Sequence, residues 1–203
     1  MRTTQHSFAG RPARHDKRAP PAWLYFAVCQ LGWFVCVLSA ARGAGWLGML
    51  FAVAAVLWHL WRVAGPIREA RLLALTVAVG MMWESALVYS GLLSYPSGTF
   101  IVGLAPYWLS ALWALFAIQF NTVYVWLREK TWLAALLGAL AGPLSFRAGA
   151  ALGAVHFDRP LAAWVVLSFG WAVLLPALLK LARRWDGVHY AGQAETATRN
   201  GTC

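Results

Sequence analysis

An all-α integral membrane protein with six transmembrane helices and both termini in the cytoplasm is the architecture this sequence predicts. Three observations carry the prediction. The chain is 61% hydrophobic and only 12% charged, with a mean hydropathy of +0.59. That is more apolar surface than a soluble domain of 203 residues can cover. The apolar residues fall into six runs, each near the roughly 20 residues that cross a hydrocarbon core. Lys and Arg gather between alternate runs and at the termini, as they do on the cytoplasmic side of membrane proteins.

Residues 1–19 hold Arg2, Arg11, Arg14, Lys17 and Arg18 against Asp16, and read as a disordered basic tail. The transmembrane domain occupies residues 20–185. Its first run, residues 21–41, contains Gln30 and several aromatic residues. It is too long and too rich in Trp for the apolar core of a cleaved signal, so it reads as a span. The second run, residues 46–61, is the shortest. The third covers residues 72–95, the fourth 100–127, the fifth 132–155 and the sixth 161–181. The links are brief, which makes neighbouring helices antiparallel. Residues 186–203 are polar and aperiodic, and read as a second disordered tail.

Orientation follows from the basic residues. The N-terminal tail, the second link (Arg62, Arg68, Arg71), the fourth link (Arg128, Lys130) and the C-terminal end (Lys180, Arg183, Arg184, Arg199) carry most of them. The opposite links carry Arg42 and Arg159. This asymmetry puts the tails inside, and an even number of spans agrees. Most of the thirteen Trp residues lie near run ends, at the level of the lipid headgroups. Trp33, Trp83, Trp113 and Trp171 lie deeper; they read as packing residues or as the walls of a cavity for a lipid chain.

The net charge of +10 comes without a nucleic-acid recognition motif, so nucleic acid is not expected as a partner. Cys29, Cys36 and Cys203 have neither metal-ligand spacing nor an even count. His59 and His156 lie near opposite membrane faces, outside any HExxH pattern. No metal and no cofactor is expected. The chain also lacks a G-x-S-x-G elbow, a P-loop and a dinucleotide fingerprint. Whether it is an enzyme stays open at this point.

Glu84 is the acid placed within a predicted span. An ionised carboxylate at mid-bilayer costs roughly +2.5 to +3.5 kcal/mol on insertion scales, so it must face protein or water. Thr76, Gly80, Glu84, Val88, Gly91 and Tyr95 share one helical stripe, and its glycines admit a close neighbour. Glu84 reads as a proton-handling or substrate-orienting acid, or as the structural partner of a buried polar group. Arg147 is its counterpart in the fifth run. It pairs with Glu84, snorkels to the outer interface, or stands free to bind an anion. Catalytic roles are unassigned, with Glu84 and Arg147 as the candidates. Gln30, Trp33, Glu84, Asn121, Ser145 and Arg147 form the candidate binding set. Gln30, Gln119 and Asn121 also suit hydrogen bonding between helices.

Gly138, Gly142, Ser145, Gly149, Gly153 and His156 repeat along the fifth run at helical spacing, the stripe of a close helix–helix contact. Pro143 is expected to kink the helix. The stretch Gly91-Leu92-Leu93-Ser94-Tyr95-Pro96-Ser97-Gly98 matches Gly142-Pro143-Leu144-Ser145-Phe146-Arg147-Ala148-Gly149 as a weak internal repeat.

Five segments together resemble a known family: Gln30-Leu31-Gly32-Trp33-Phe34, Gly91-Leu92-Leu93-Ser94-Tyr95, Leu104-Ala105-Pro106-Tyr107-Trp108, Gly142-Pro143-Leu144-Ser145 and Leu152-Gly153-Ala154. They are similar to a family of small six-helix bacterial inner-membrane proteins of unknown function. The likeness covers about residues 22–182, omits both tails and does not account for Arg147. The family's genes often stand beside cyclopropane-fatty-acid-synthase-like lipid enzymes. The resemblance therefore implies the bacterial inner membrane, with membrane lipids and lipid-modifying enzymes as partners. The expected role is in acyl-chain modification or envelope stress. A small proton-coupled transporter using Glu84 and a purely structural membrane protein are the alternatives.

Overall fold

The computed structural model describes residues 21–189. The predicted tails, apart from residues 186–189, lie outside this range. Six helices run in the order α1 (Ala22–Ala41), α2 (Trp46–Arg62), α3 (Pro66–Tyr89), α4 (Leu109–Ala117), α5 (Thr131–Ala151) and α6 (Pro160–Arg184). Four of them, α1, α3, α5 and α6, are long and apolar enough to cross a membrane. The exterior is a belt of large apolar side chains, among them Phe26, Leu57, Met82, Leu140, Phe169 and Val173. In water such a surface would aggregate; against lipid it is the ordinary exterior of a spanning bundle.

The fourth predicted span needs correcting. Residues 100–127 do not form one long helix. α4 has nine residues, about 13 Å of helix, against a core of about 30 Å. Before it, residues 95–108 form a loop in which Gly98 and Gly103 have positive φ. After it the backbone unwinds: the amides of Thr122, Val123 and Tyr124 all reach the Gln119 carbonyl. A single 3-10 turn follows at Val125–Leu127. α4 is short because it is an interior element. Leu109, Ala111, Trp113, Leu115 and Ala117 are all buried, and α4 packs on α1, α2 and α3.

α3 and α5 each end on a glycine with positive φ, Gly91 at 65° and Gly153 at 83°. Each closes the same pair of hydrogen bonds. Leu92 N donates to Leu87 O at 3.1 Å and Gly91 N to Val88 O at 2.9 Å. Ala154 N donates to Gly149 O and Gly153 N to Ala150 O, both at 3.0 Å. This is a Schellman termination, which a side chain at the glycine would strain. Both helices then enter two-residue strands, β1 (Leu93–Ser94) and β2 (His156–Phe157), paired antiparallel. The weak repeat seen in the sequence is thus misplaced: Gly91 corresponds in structure to Gly153, not to Gly142, which lies inside α5.

α5 and α6 form a tight hairpin because glycine lets them touch. A Cβ on Gly138 would meet the Trp171 carbonyl oxygen, and one on Gly142 would meet the Trp171 ring. The hairpin docks on the rest through α6, where Trp83 of α3 lies against Gly170, and through the β1–β2 pair. Its α5 meets α1 through the Trp33–Ser145 hydrogen bond, without the extended contact that it makes with α6. A gap is left between α1 and α5.

Candidate functional site

The gap between α1 and α5 is a cleft of about 650 Å³, within the range of small-molecule sites. α1 supplies Gln30, Trp33 and Phe34, and α5 supplies Ala141, Leu144, Ser145 and Ala148. Most of these side chains are exposed, so the mouth opens sideways, toward the face a bilayer would cover. Trp33 Nε1 donates to Ser145 Oγ at 3.2 Å and bridges the two helices. α4 forms the back wall. Trp113 and Trp171 stack there, with centroids 5.3 Å apart and planes 7° from parallel.

Glu84 lines the floor and is only 2% exposed. Its position follows from the stripe on α3, where Thr76, Gly80, Glu84 and Leu87 are all buried. Gly80, one turn earlier, is covered by the Trp113 ring. Tyr95, carried back over the end of α3 by β1 and the loop after it, donates its hydroxyl to Glu84 Oε2 at 3.1 Å. The Trp113 indole is a second neighbouring donor. Tyr95 in turn meets Trp108 edge to face at 5.8 Å. The carboxyl therefore sits in a box of aromatic rings.

Of the candidate set, Gln30, Trp33, Glu84 and Ser145 meet at this cleft. Arg147 and Asn121 do not. Arg147 is exposed and has no partner among the described residues, while Glu84 takes Tyr95 as its partner. Asn121 belongs to a second polar cluster at the other end of the bundle. Of the four deep Trp residues, Trp33, Trp113 and Trp171 wall the cleft, and Trp83 is a packing residue against Gly170.

The second cluster was not foreseen. Glu69, assigned from sequence to a link, lies in the first turn of α3 and is 2% exposed. Tyr25 Oη lies 2.9 Å from His59 Nδ1, and His59 Nε2 lies 3.2 Å from Glu69 Oε2. A ring with Nδ1 accepting from Tyr25 and Nε2–H donating to Glu69 satisfies all three groups. Glu69 Oε1 accepts from Asn121 Nδ2 at 2.7 Å and from Gly187 N at 2.8 Å. Asn121 Oδ1 accepts from Arg128 Nη1 at 2.7 Å, and Arg128 pairs with Asp186 at 2.8 Å. A polar His59 beside an apolar helix end was the available signal, but nothing in spacing alone links it to Glu69 or Asn121.

Residues 186–189, placed in the C-terminal tail by the sequence, are bonded to this cluster. Gly65 N donates to Gly187 O at 2.8 Å, so residues 186–189 are strapped over the start of α3. Burial works to raise the Asp186 carboxyl, but the bond from Arg128 and the contacts with His189 hold it below the usual carboxylate range. A depressed folded value means that its stabilisation is complete above the unfolded range and is lost as pH falls through the folded value. Asp186→Asn is expected to cost about 1.5–3 kcal/mol at neutral pH and to flatten the acid side of a thermal-midpoint profile.

A polytopic α-helical membrane protein with a laterally open cleft is the class these features define. The chain belongs to DUF2878, a family described as proteins of unknown function, whose model matches residues 22–177. It is also similar to two proteins named protoheme IX farnesyltransferase. One, from Pyrobaculum islandicum, is 31% identical over 169 residues, which cover 76% of this chain and 57% of the relative. The other, from Pyrobaculum neutrophilum, is 36% identical over 98 residues, covering 46% of this chain and 33% of the relative. The chain thus spans little more than half of the first relative and a third of the second. No solved structure matches it.

Proposed function

We propose that this protein holds the apolar chain of an amphiphile in the cleft between α1 and α5 and serves membrane-lipid modification, as an accessory or as the modifying enzyme. The observation that carries the reading is the cleft itself, open toward the lipid face and floored by a buried carboxyl. A closed bundle would have argued against it. The two relatives are named as farnesyltransferases, and a farnesyl group is a long apolar chain; that likeness supports the lipid side of the reading. The basic end of the bundle, with Arg62, Arg68, Arg128, Lys130, Arg183 and Arg184, faces the cytoplasm on this reading, in a bacterial inner membrane.

Native mass spectrometry of the protein released from nanodiscs tests it. The wild type is expected to carry a bound amphiphile. Ala148→Trp, which fills the exposed α5 side of the mouth, is expected to lose it while keeping its thermal midpoint. Retention of the same amphiphile by Ala148→Trp would remove the cleft as its site.

A further inference from the structure

The chemistry of the cleft restricts what its occupant carries at the polar end. The lining includes one carboxyl, Glu84, and no Lys, Arg or His. The Glu84 floor therefore offers nothing to neutralise a phosphate or a carboxylate. An anionic head there would face a like charge when Glu84 is ionised and, when it is protonated, would be buried in a low-dielectric site with no positive charge to match it. The carboxyl has the opposite need. It is buried among rings, its protein neighbours are the neutral Tyr95 hydroxyl and Trp113 indole, and Arg147 is directed elsewhere. A carboxylate in such surroundings is stable only when a proton or a cation matches its charge.

The rings around it exclude water and leave the carboxyl as the group that would hold a cation. Tyr95, Trp108 and Trp113 all line the same floor, and Tyr95 and Trp108 are in edge-to-face contact. Gly80 and Trp171 cover the two faces of Trp113 and Tyr95 turns its hydroxyl edge to the carboxyl, so an ammonium here gains from the counter-charge, in a charge-assisted hydrogen bond to Glu84. The wall formed by Trp113 and Trp171 and the apolar mouth then accept a chain.

Resting on the amphiphile reading above, we infer that the ligand is a single apolar chain ending in a protonated amine, with the ammonium on Glu84 and the chain running out between α1 and α5.

Isothermal titration in nanodiscs, with Ala148→Trp as the baseline for bilayer partition, compares dodecylamine, dodecanol and dodecyl phosphate. Wild type is expected to bind dodecylamine at least tenfold tighter than dodecanol, and dodecyl phosphate no better than the baseline. Glu84→Gln keeps the size of the side chain and an acceptor for Tyr95. It is expected to bind dodecanol as before and to bring the amine preference below twofold. Nanodiscs with and without phosphatidylethanolamine separate the sources. That lipid, with two chains and a phosphate beside its ammonium, is expected not to compete with dodecylamine; its competition would overturn the single-chain amine.

Equal or tighter binding of dodecyl phosphate, or an intact amine preference in Glu84→Gln, overturns the inference. Empty nanodiscs give a second partition baseline, so the wild-type comparison stands even if a variant fails to fold. Binding of dodecanol without amine preference sinks the inference but leaves the amphiphile reading standing. No binding above baseline by any of the three sinks both.

Discussion

Gly138→Leu is expected to leave no folded, monodisperse protein, and Gly138→Ala to lower the thermal midpoint by several degrees. The reason is the identity of the atom a Cβ would meet. At Gly138 it is the backbone carbonyl oxygen of Trp171, which no rotamer change can move. α5 and α6 would have to separate, and Trp171 holds both the Gly142 contact and the stack on Trp113. Overpacking of this kind costs about 1–3 kcal/mol or more, and in a chain of this size each kcal/mol shifts the midpoint by about 2–4 °C. Gly149 is the internal control. It shares the small-residue stripe, yet a Cβ there would sit 3.5 Å from Val155 Cγ1, an ordinary contact. Gly149→Ala is expected to be neutral or to stabilise by up to about 1 kcal/mol through helix propensity. Midpoints of the two alanine variants, measured in one detergent, decide the matter. Equal effects would mean that the hairpin is not packed through Gly138.

That contrast shows how far a stripe in the sequence reaches. Small residues at helical spacing mark a face on which close approach is allowed, but they do not say which of them is approached. Gly138 and Gly142 serve the α5·α6 contact, whereas Gly153 ends the helix with a φ of 83°. The inward turn of Glu84 was legible because one carboxyl in an apolar helix has only one affordable direction. Its partner was not: Tyr95 falls on the same stripe only if the helix continues to it, whereas α3 ends at Tyr89 and Tyr95 reaches Glu84 by way of β1 and a change of chain direction. The fourth run misled for a related reason. Residues 100–104 are apolar and strongly exposed, with Phe100 at 84% and Val102 at 99%, so hydropathy does not separate them from a helix. Pro96, Gly98, Gly103 and Pro106 were the breakers that did. Glu69 was hidden by its charged neighbours: Arg68 and Arg71 made the segment look like a link, although Pro66 is a good first residue for a helix.

Glu69→Ala is expected to cost about 3–5 kcal/mol, the largest effect of any substitution outside the glycine contacts. The change removes the acceptor for three donors at once: His59 Nε2, Asn121 Nδ2 and Gly187 N. All three residues are well covered, so water cannot replace the lost bonds without opening the end of the bundle. The opening has a defined route. Gly187 and Gly65 are held together by one backbone bond and by the shared hold of Glu69, so residues 186–189 detach first. Hydrogen exchange is expected to show the Gly187 amide exposed in Glu69→Ala while amides in the middle of α6 stay protected. Glu69→Gln keeps one acceptor oxygen and should fall between wild type and Glu69→Ala. Because Arg128 and Asp186 stabilise the same strap through Asn121, Glu69→Ala combined with Asp186→Asn is expected to cost less than the sum of the two. Strict additivity would mean that the two carboxylates do not hold a common element, and the chain of bonds from Tyr25 to Asp186 would then be a series of separate contacts with no cooperative closure of the bundle end.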